Sequence, residues 1–137
     1  MAVRVLVCGS RNWTKTMPIY VVLAGYVARF GQENVILIHG AAPGADACAD
    51  KAGEQLGIKR LPFPAEWDRY KPTQPGRKNP AGPIRNRQML HEGQPDVVWA
   101  FHEDPCLGSG TKDMVEIAQA AGVPCYRVIS SQLDDVQ

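Results

Sequence analysis

No stretch of the chain approaches the roughly 18 consecutive apolar residues that a membrane-spanning helix needs. The apolar runs near Val21 and Val35 are short and punctuated. The N-terminus lacks the succession of charged region, apolar core and small-residue cleavage site that marks an export signal, running straight into Ala2-Val3-Arg4-Val5-Leu6-Val7. Neither sign of charge dominates. Fifteen basic residues stand against fourteen acidic ones, for a net charge of +1, so bulk charge does not draw this molecule to nucleic acid. Any preference for an anion is local. Cys8, Cys48, Cys106 and Cys125 form no CxxC pair and no Cys/His ligand spacing, and no metal site is expected. Cys8 and Cys125 fall in apolar, strand-like runs, where a thiol acts as a small buried hydrophobe. Together these absences predict a cytoplasmic protein without metal or cofactor.

What is present is an average globular composition: 137 residues, 45% hydrophobic and 21% charged, enough for one domain. Short apolar runs alternate with helical patterns. Arg4 to Cys8, Asn34 to His39, Ile58 to Phe63, Asp96 to Phe101 and Pro124 to Ile129 read as buried strands. Ile19, Val22, Leu23, Tyr26, Val27 and Phe30 form one helical stripe ended by Gly31. Ala45, Ala49, Ala52 and Leu56 give a second helix with a small-residue inner face. A third helix is predicted near Ile84 to Glu92, and a fourth carries Met114, Ile117, Ala118 and Ala121 inward, with Gly122 as its cap. Strands that are apolar throughout and separated by helices imply a parallel sheet covered on both faces. The expected fold class is α/β: a Rossmann-like, doubly wound parallel sheet of about five strands in a three-layer α/β/α arrangement. Residues 1–130 form the single domain, and 131–137 are read as a polar, fraying tail.

In such a sheet a ligand binds beyond the carboxyl ends of the strands. Three glycine-bearing breaks fall there. Gly9-Ser10-Arg11 follows the first strand, Gly40-Ala41-Ala42-Pro43-Gly44-Ala45-Asp46 the second, and Gly108-Ser109-Gly110-Thr111 the stretch after the fourth. Each lets backbone N–H groups approach an anion, and each opens a helix whose N-terminus favours negative charge. A phosphate is the natural guest. The candidate ligand-binding residues are therefore Gly9, Ser10, Arg11, Gly40, Ala42, Gly44, Asp46, Gly108, Ser109, Gly110 and Thr111. Asp46 reads equally as a capping carboxylate or as a group that holds a ribose hydroxyl. Neither a P-loop nor a GxGxxG fingerprint is present. His39 and His102 end strands, where a structural hydrogen bond is their commoner use.

The segment 64–83 is a long proline-rich loop, and such loops inside a compact domain are usually functional or mobile. Between residues 69 and 87 lie Arg69, Lys71, Arg77, Lys78, Arg85 and Arg87 with no acid among them. Arg85 and Asn86 complete the ligand-binding candidates, since an arginine grips phosphate through a planar fork. Trp67 and Tyr70 read either as packing anchors or as platforms for a base. Asp113, in the first turns of the last helix, is the one catalytic candidate.

These motifs jointly resemble the SLOG superfamily, and within it the small YspA-like, YpsA-related group of nucleotide-binding domains. The resemblance rests on Gly9-Ser10-Arg11 with Trp13, Gly40 to Asp46, Pro64 with Trp67 and Tyr70, Ala81-Gly82-Pro83 before Arg85-Asn86 and Met89, and Gly108 to Thr111, spanning about residues 3 to 128. It implies a Rossmann-like fold and a nucleotide or nucleotide-derived ligand. The wider superfamily includes LOG-type phosphoribohydrolases, which cut an N-glycosidic bond, and DprA, which implies single-stranded nucleic acid as an alternative partner; a homo-oligomer is also compatible. LOG enzymes carry a glutamate three residues after the signature threonine. Met114 holds that place here, with Asp113 one residue earlier.

Overall fold

The computed structural model describes residues 2–133. Its frame is one sheet of five strands, β1 (Val3–Gly9), β2 (Val35–His39), β3 (Lys59–Pro62), β4 (Val97–His102) and β5 (Cys125–Ile129), paired in parallel in the order β3-β2-β1-β4-β5. Parallel neighbours require crossovers. α1 (Thr16–Phe30) and α2 (Ala45–Leu56) carry the chain from β1 to β2 and on to β3; α3 (Ala81–Gln88) precedes β4, and α4 (Ser109–Ala120) joins β4 to β5. The three-layer, doubly wound arrangement expected from the alternating apolar runs is the one observed.

The pleat sorts the core. Val5 and Val7 of β1 join Trp13, Ile19, Leu23, Ala45 and Ala49 beneath α1 and α2. Leu6 and Cys8 point the other way, to Met89, Met114, Val115 and Ala118 beneath α3 and α4. Each fully buried Leu, Ile or Val contributes about 1.5–3 kcal/mol relative to exposure, so both layers are held by the central strands. α2 lies close to the sheet because Ala45, Ala49 and Ala52 are fully buried and short. α1 buries Ile19 and Leu23 of its stripe, while Phe30 at its end is 39% exposed. The Trp13 ring meets Phe101 edge-on at 5.6 Å and its Nε1 donates to the carbonyl of Lys15 at 2.6 Å.

Two elements differ from the sequence reading. α3 starts at Ala81, ahead of the expected Ile84, with Pro80 at its N-cap and the Asn79 side chain accepting the Ala81 N–H at 2.9 Å in the turn before it. Pro83 then falls in the first turn, where its missing N–H costs nothing. The helix passes into a π-helical turn over Met89–Gly93. After β5, Ser130–Leu133 forms a short helix, α5, where a tail was expected from 131; residues 134–137 of that tail lie outside the described residues. Among the described residues, no helix is long and apolar enough to cross a membrane.

The chain moves from β1 outward to β3 and then returns to β4 on the opposite flank of β1. Beyond the carboxyl ends of β1 and β4 the crossovers leave in opposite directions, which opens a crevice there.

Candidate functional site

The first two glycine turns are one structure. The Ser10 N–H donates to the Phe101 carbonyl of β4 at 2.9 Å, and the Ser10 carbonyl accepts the Ala45 N–H of α2, also at 2.9 Å. A Cβ on Gly9 would collide with the Phe101 carbonyl, so glycine is needed where β1 leaves the sheet. Gly44 has φ 83° and lies against the Ser10 and Arg11 backbone. The Ser10 hydroxyl accepts the Asn12 N–H at 3.0 Å, which stabilises the turn. Asp46 is buried, and its Oδ2 accepts the N–H groups of Gly40 and Ala42 at 3.1 and 3.2 Å. It therefore caps the turn before α2 from inside the helix. Burial pushes its carboxyl pKa up; the two N–H bonds, with His39 and Arg85 nearby, oppose that shift.

The third turn opens α4. No side chain caps this helix, and the N–H groups of its first turn have no partner within it. The Gly108 N–H donates to Nε2 of His102 at 3.2 Å. From α3, the buried Asn86 amide donates to the Gly110 carbonyl at 3.2 Å and to Asp113 Oδ2 at 3.0 Å. Arg85, one residue earlier, donates through Nη1 to the Gly40 carbonyl and through Nε to Asn86 Oδ1 at 3.1 Å. Burial pushes the Arg85 pKa below its ordinary value; Asp46 opposes this and the nearby charge of Arg11 adds to it.

These groups line a cleft of about 780 Å³, a size that suits a small organic ligand. Of the predicted residues, Gly9, Ser10, Arg11, Ala42, Asp46, Arg85, Asn86, Gly108, Ser109, Gly110, Thr111 and Asp113 line it. Gly40 and Gly44 do not; they sit behind its wall, against Arg85 and against Ser10. His39 is turned away, with Nε2 2.9 Å from Asp50 Oδ1, and Asp50 in turn pairs with Arg60 at 2.9 Å. Met114 is 1% exposed and packs in the core at the floor of the cleft, and the carboxylate of α4 that lines the cleft is Asp113. Among the described residues, no group of three or more His, Cys, Asp or Glu side chains could hold a metal.

Several lining residues were not singled out as ligand candidates in the sequence: Cys8, Asn12, Lys78, Asn79, Pro80 and His102. Position at a strand end was a signal for His102. Nothing local marks Asn79, whose amide donates to the Trp67 carbonyl at 2.8 Å and whose oxygen accepts the Ala81 N–H at the start of α3. Trp67 also lines the cleft, with the Arg11 guanidinium 5.5 Å from its ring centre.

The model of the YspA, cpYpsA-related SLOG family matches residues 3–70. The Gene 61 protein of Mycobacterium phage D29 is 33% identical over 126 residues, covering 88% of this chain and 92% of that protein. The chain belongs to the YspA, cpYpsA-related SLOG family. Among solved structures, DNA processing protein A (DprA) from Streptococcus pneumoniae superposes with a TM-score of 0.68 at 22% identity. That likeness covers 92% of this chain and 50% of the DprA chain, and it shows the shared Rossmann-like fold. In this SLOG family member the matched segment holds the first two glycine turns and Trp67. Arg85 and the α4 turn lie beyond it, within reach of the longer phage alignment.

Proposed function

We propose that the cleft binds a nucleotide or nucleotide-derived ligand, with phosphate on the first turn of α4 and with Arg85 and Arg11 as its clamp. The observation that carries this reading is that two arginine side chains and one uncapped helix N-terminus line the same cleft. Two neighbouring cations are unfavourable without an anion between them, and phosphate supplies one in a form that arginine and backbone N–H groups both grip. Asp46, with one oxygen committed to the turn, offers the other to a ribose hydroxyl. SLOG membership supports the same ligand class. The half-exposed Trp67 ring at the cleft wall offers a face for a base.

Isothermal titration with AMP, ADP-ribose, NAD and cyclic nucleotides tests the reading. Binding by the wild type that is lost in Arg85→Ala is expected. Absence of binding throughout, or unchanged affinity in the variant, counts against it.

A second reading, hydrolysis of a nucleotide's N-glycosidic bond, draws on Asp113, the carboxylate that lines the cleft beside the α4 turn. There it would activate water or stabilise the positive charge that develops on the sugar. Free base released from a nucleoside monophosphate, and abolished in Asp113→Asn, is the signature. Intact substrate after long incubation with pure protein removes this reading.

A further inference from the structure

Beside the cleft, the loop between β3 and α3 forms a second, open hollow of about 420 Å³, lined among others by Tyr70, Lys71, Thr73, Arg77 and Lys78. Lys78 and Pro80 line both spaces, so the two share a wall. The charge here is one-sided. Arg69 is occupied, paired with Glu66 at 3.1 Å and lying over the Tyr70 ring. Among the described residues, Lys71, Arg77 and Lys78 pair with no acid, and none occurs in the sequence from 69 to 87. Three uncompensated cations around one concavity repel one another, and a bound anion relieves that repulsion.

We propose that this hollow is a second phosphate-binding subsite, taken by a ligand that continues out of the cleft through a phosphate linkage: a nucleotide joined to a further nucleotide unit. The proposal rests on the reading of the cleft as a nucleotide site. Lys78, on the shared wall, meets the linkage, while Lys71 and Arg77 meet a phosphate carried by the distal unit. The same chemistry is offered by a free dinucleotide and by the end of a single strand of nucleic acid.

Titration of the full chain with adenosine monophosphate, with two adenosines joined by a pyrophosphate of which the distal one carries a further ribose phosphate, and with a single-stranded tetra-adenylate tests it. The dinucleotide is expected to bind about tenfold more tightly than the mononucleotide at low salt, and salt is expected to shrink that gain. The double variant Lys71→Ala/Arg77→Ala is expected to lose the gain and keep the mononucleotide affinity, because neither residue lines the first cleft. Its circular dichroism should match the wild type. Equal affinity for the two ligands overturns the subsite alone, as does a gain that survives in the variant or a variant that loses mononucleotide affinity equally. If no adenylate binds, the cleft reading falls and takes the subsite with it. Tighter binding of the tetra-adenylate than of the dinucleotide assigns the ligand to a strand; the reverse order assigns it to a free dinucleotide.

Discussion

The carbonyl oxygen of Ser10 accepts the N–H of Ala45 at 2.9 Å, so the turn that ends β1 also holds the first residue of α2. Gly44 lies at this crossing with φ 83°, and a Cβ there would strike the Ser10 carbonyl. Gly44→Ala is therefore expected to destabilise the protein by about 1–3 kcal/mol, the range for backbone forced into an unfavourable region. Urea unfolding measures this. Gly110→Ala is the contrast: nothing lies within 4 Å of the added Cβ, and its unfolding free energy should stay within about 0.5 kcal/mol of wild type. Equal effects from the two substitutions contradict the geometry.

Arg85 joins the second glycine turn to the cleft through the Gly40 carbonyl. Arg85→Ala should weaken a phosphate-bearing ligand by roughly 10- to 100-fold, the scale of a lost charge-assisted hydrogen bond at about 1.5–3 kcal/mol. Arg85→Lys should recover little, because an ammonium cannot reach the carbonyl and the ligand with one planar fork. Titration of both variants decides the matter, and full rescue by lysine contradicts a forked clamp.

Asp46 gives a pH prediction. Burial raises its folded pKa above the ordinary carboxylate value of 3.8. The folded state thus holds the proton more tightly than the unfolded chain, and the stability linked to that proton declines as pH rises through the folded value. Asp46→Asn keeps an oxygen for the Gly40 and Ala42 N–H groups and removes the buried charge. The stability of the variant relative to wild type should grow from pH 4 toward neutrality, as read from thermal midpoints. A constant difference across that range tells against a raised pKa.

Thiol reactivity separates the four free cysteines. Cys8 is buried, and burial, helped by the neighbouring Asp46 charge, pushes its thiol pKa far up. Cys106 is exposed. Since the thiolate is the reactive form, brief alkylation of the native protein near pH 8 should label Cys106 and spare Cys8, as mass spectrometry can show. Labelling of Cys8 at a similar rate would place it outside the packed layer.

The sheet was legible because apolar runs such as Val35 to His39 have no polar alternation, a pattern that only a doubly covered parallel strand tolerates. The edge location of the site followed from the topology rule together with three glycine turns. Which glycines line the cleft was not legible. Gly9 and Gly44 are both glycine for steric reasons, yet only Gly9 lines the cleft. The start of α3 was misplaced because its N-cap is Pro80, inside a loop whose prolines disguise a helix boundary. His39 and His102 look alike in sequence, each closing a strand. Their difference arises from Asp50, which is brought to His39 by α2.

No residue from 63 to 80 is buried, although the loop supplies Trp67, Lys78 and Asn79 to the cleft. The stretch that shapes one wall of the cleft thus carries almost none of the weight of folding. Insertions, deletions and charge reversals there can redraw what this molecule recognises while the strands still find their partners, so divergence among its kin should concentrate in that tether.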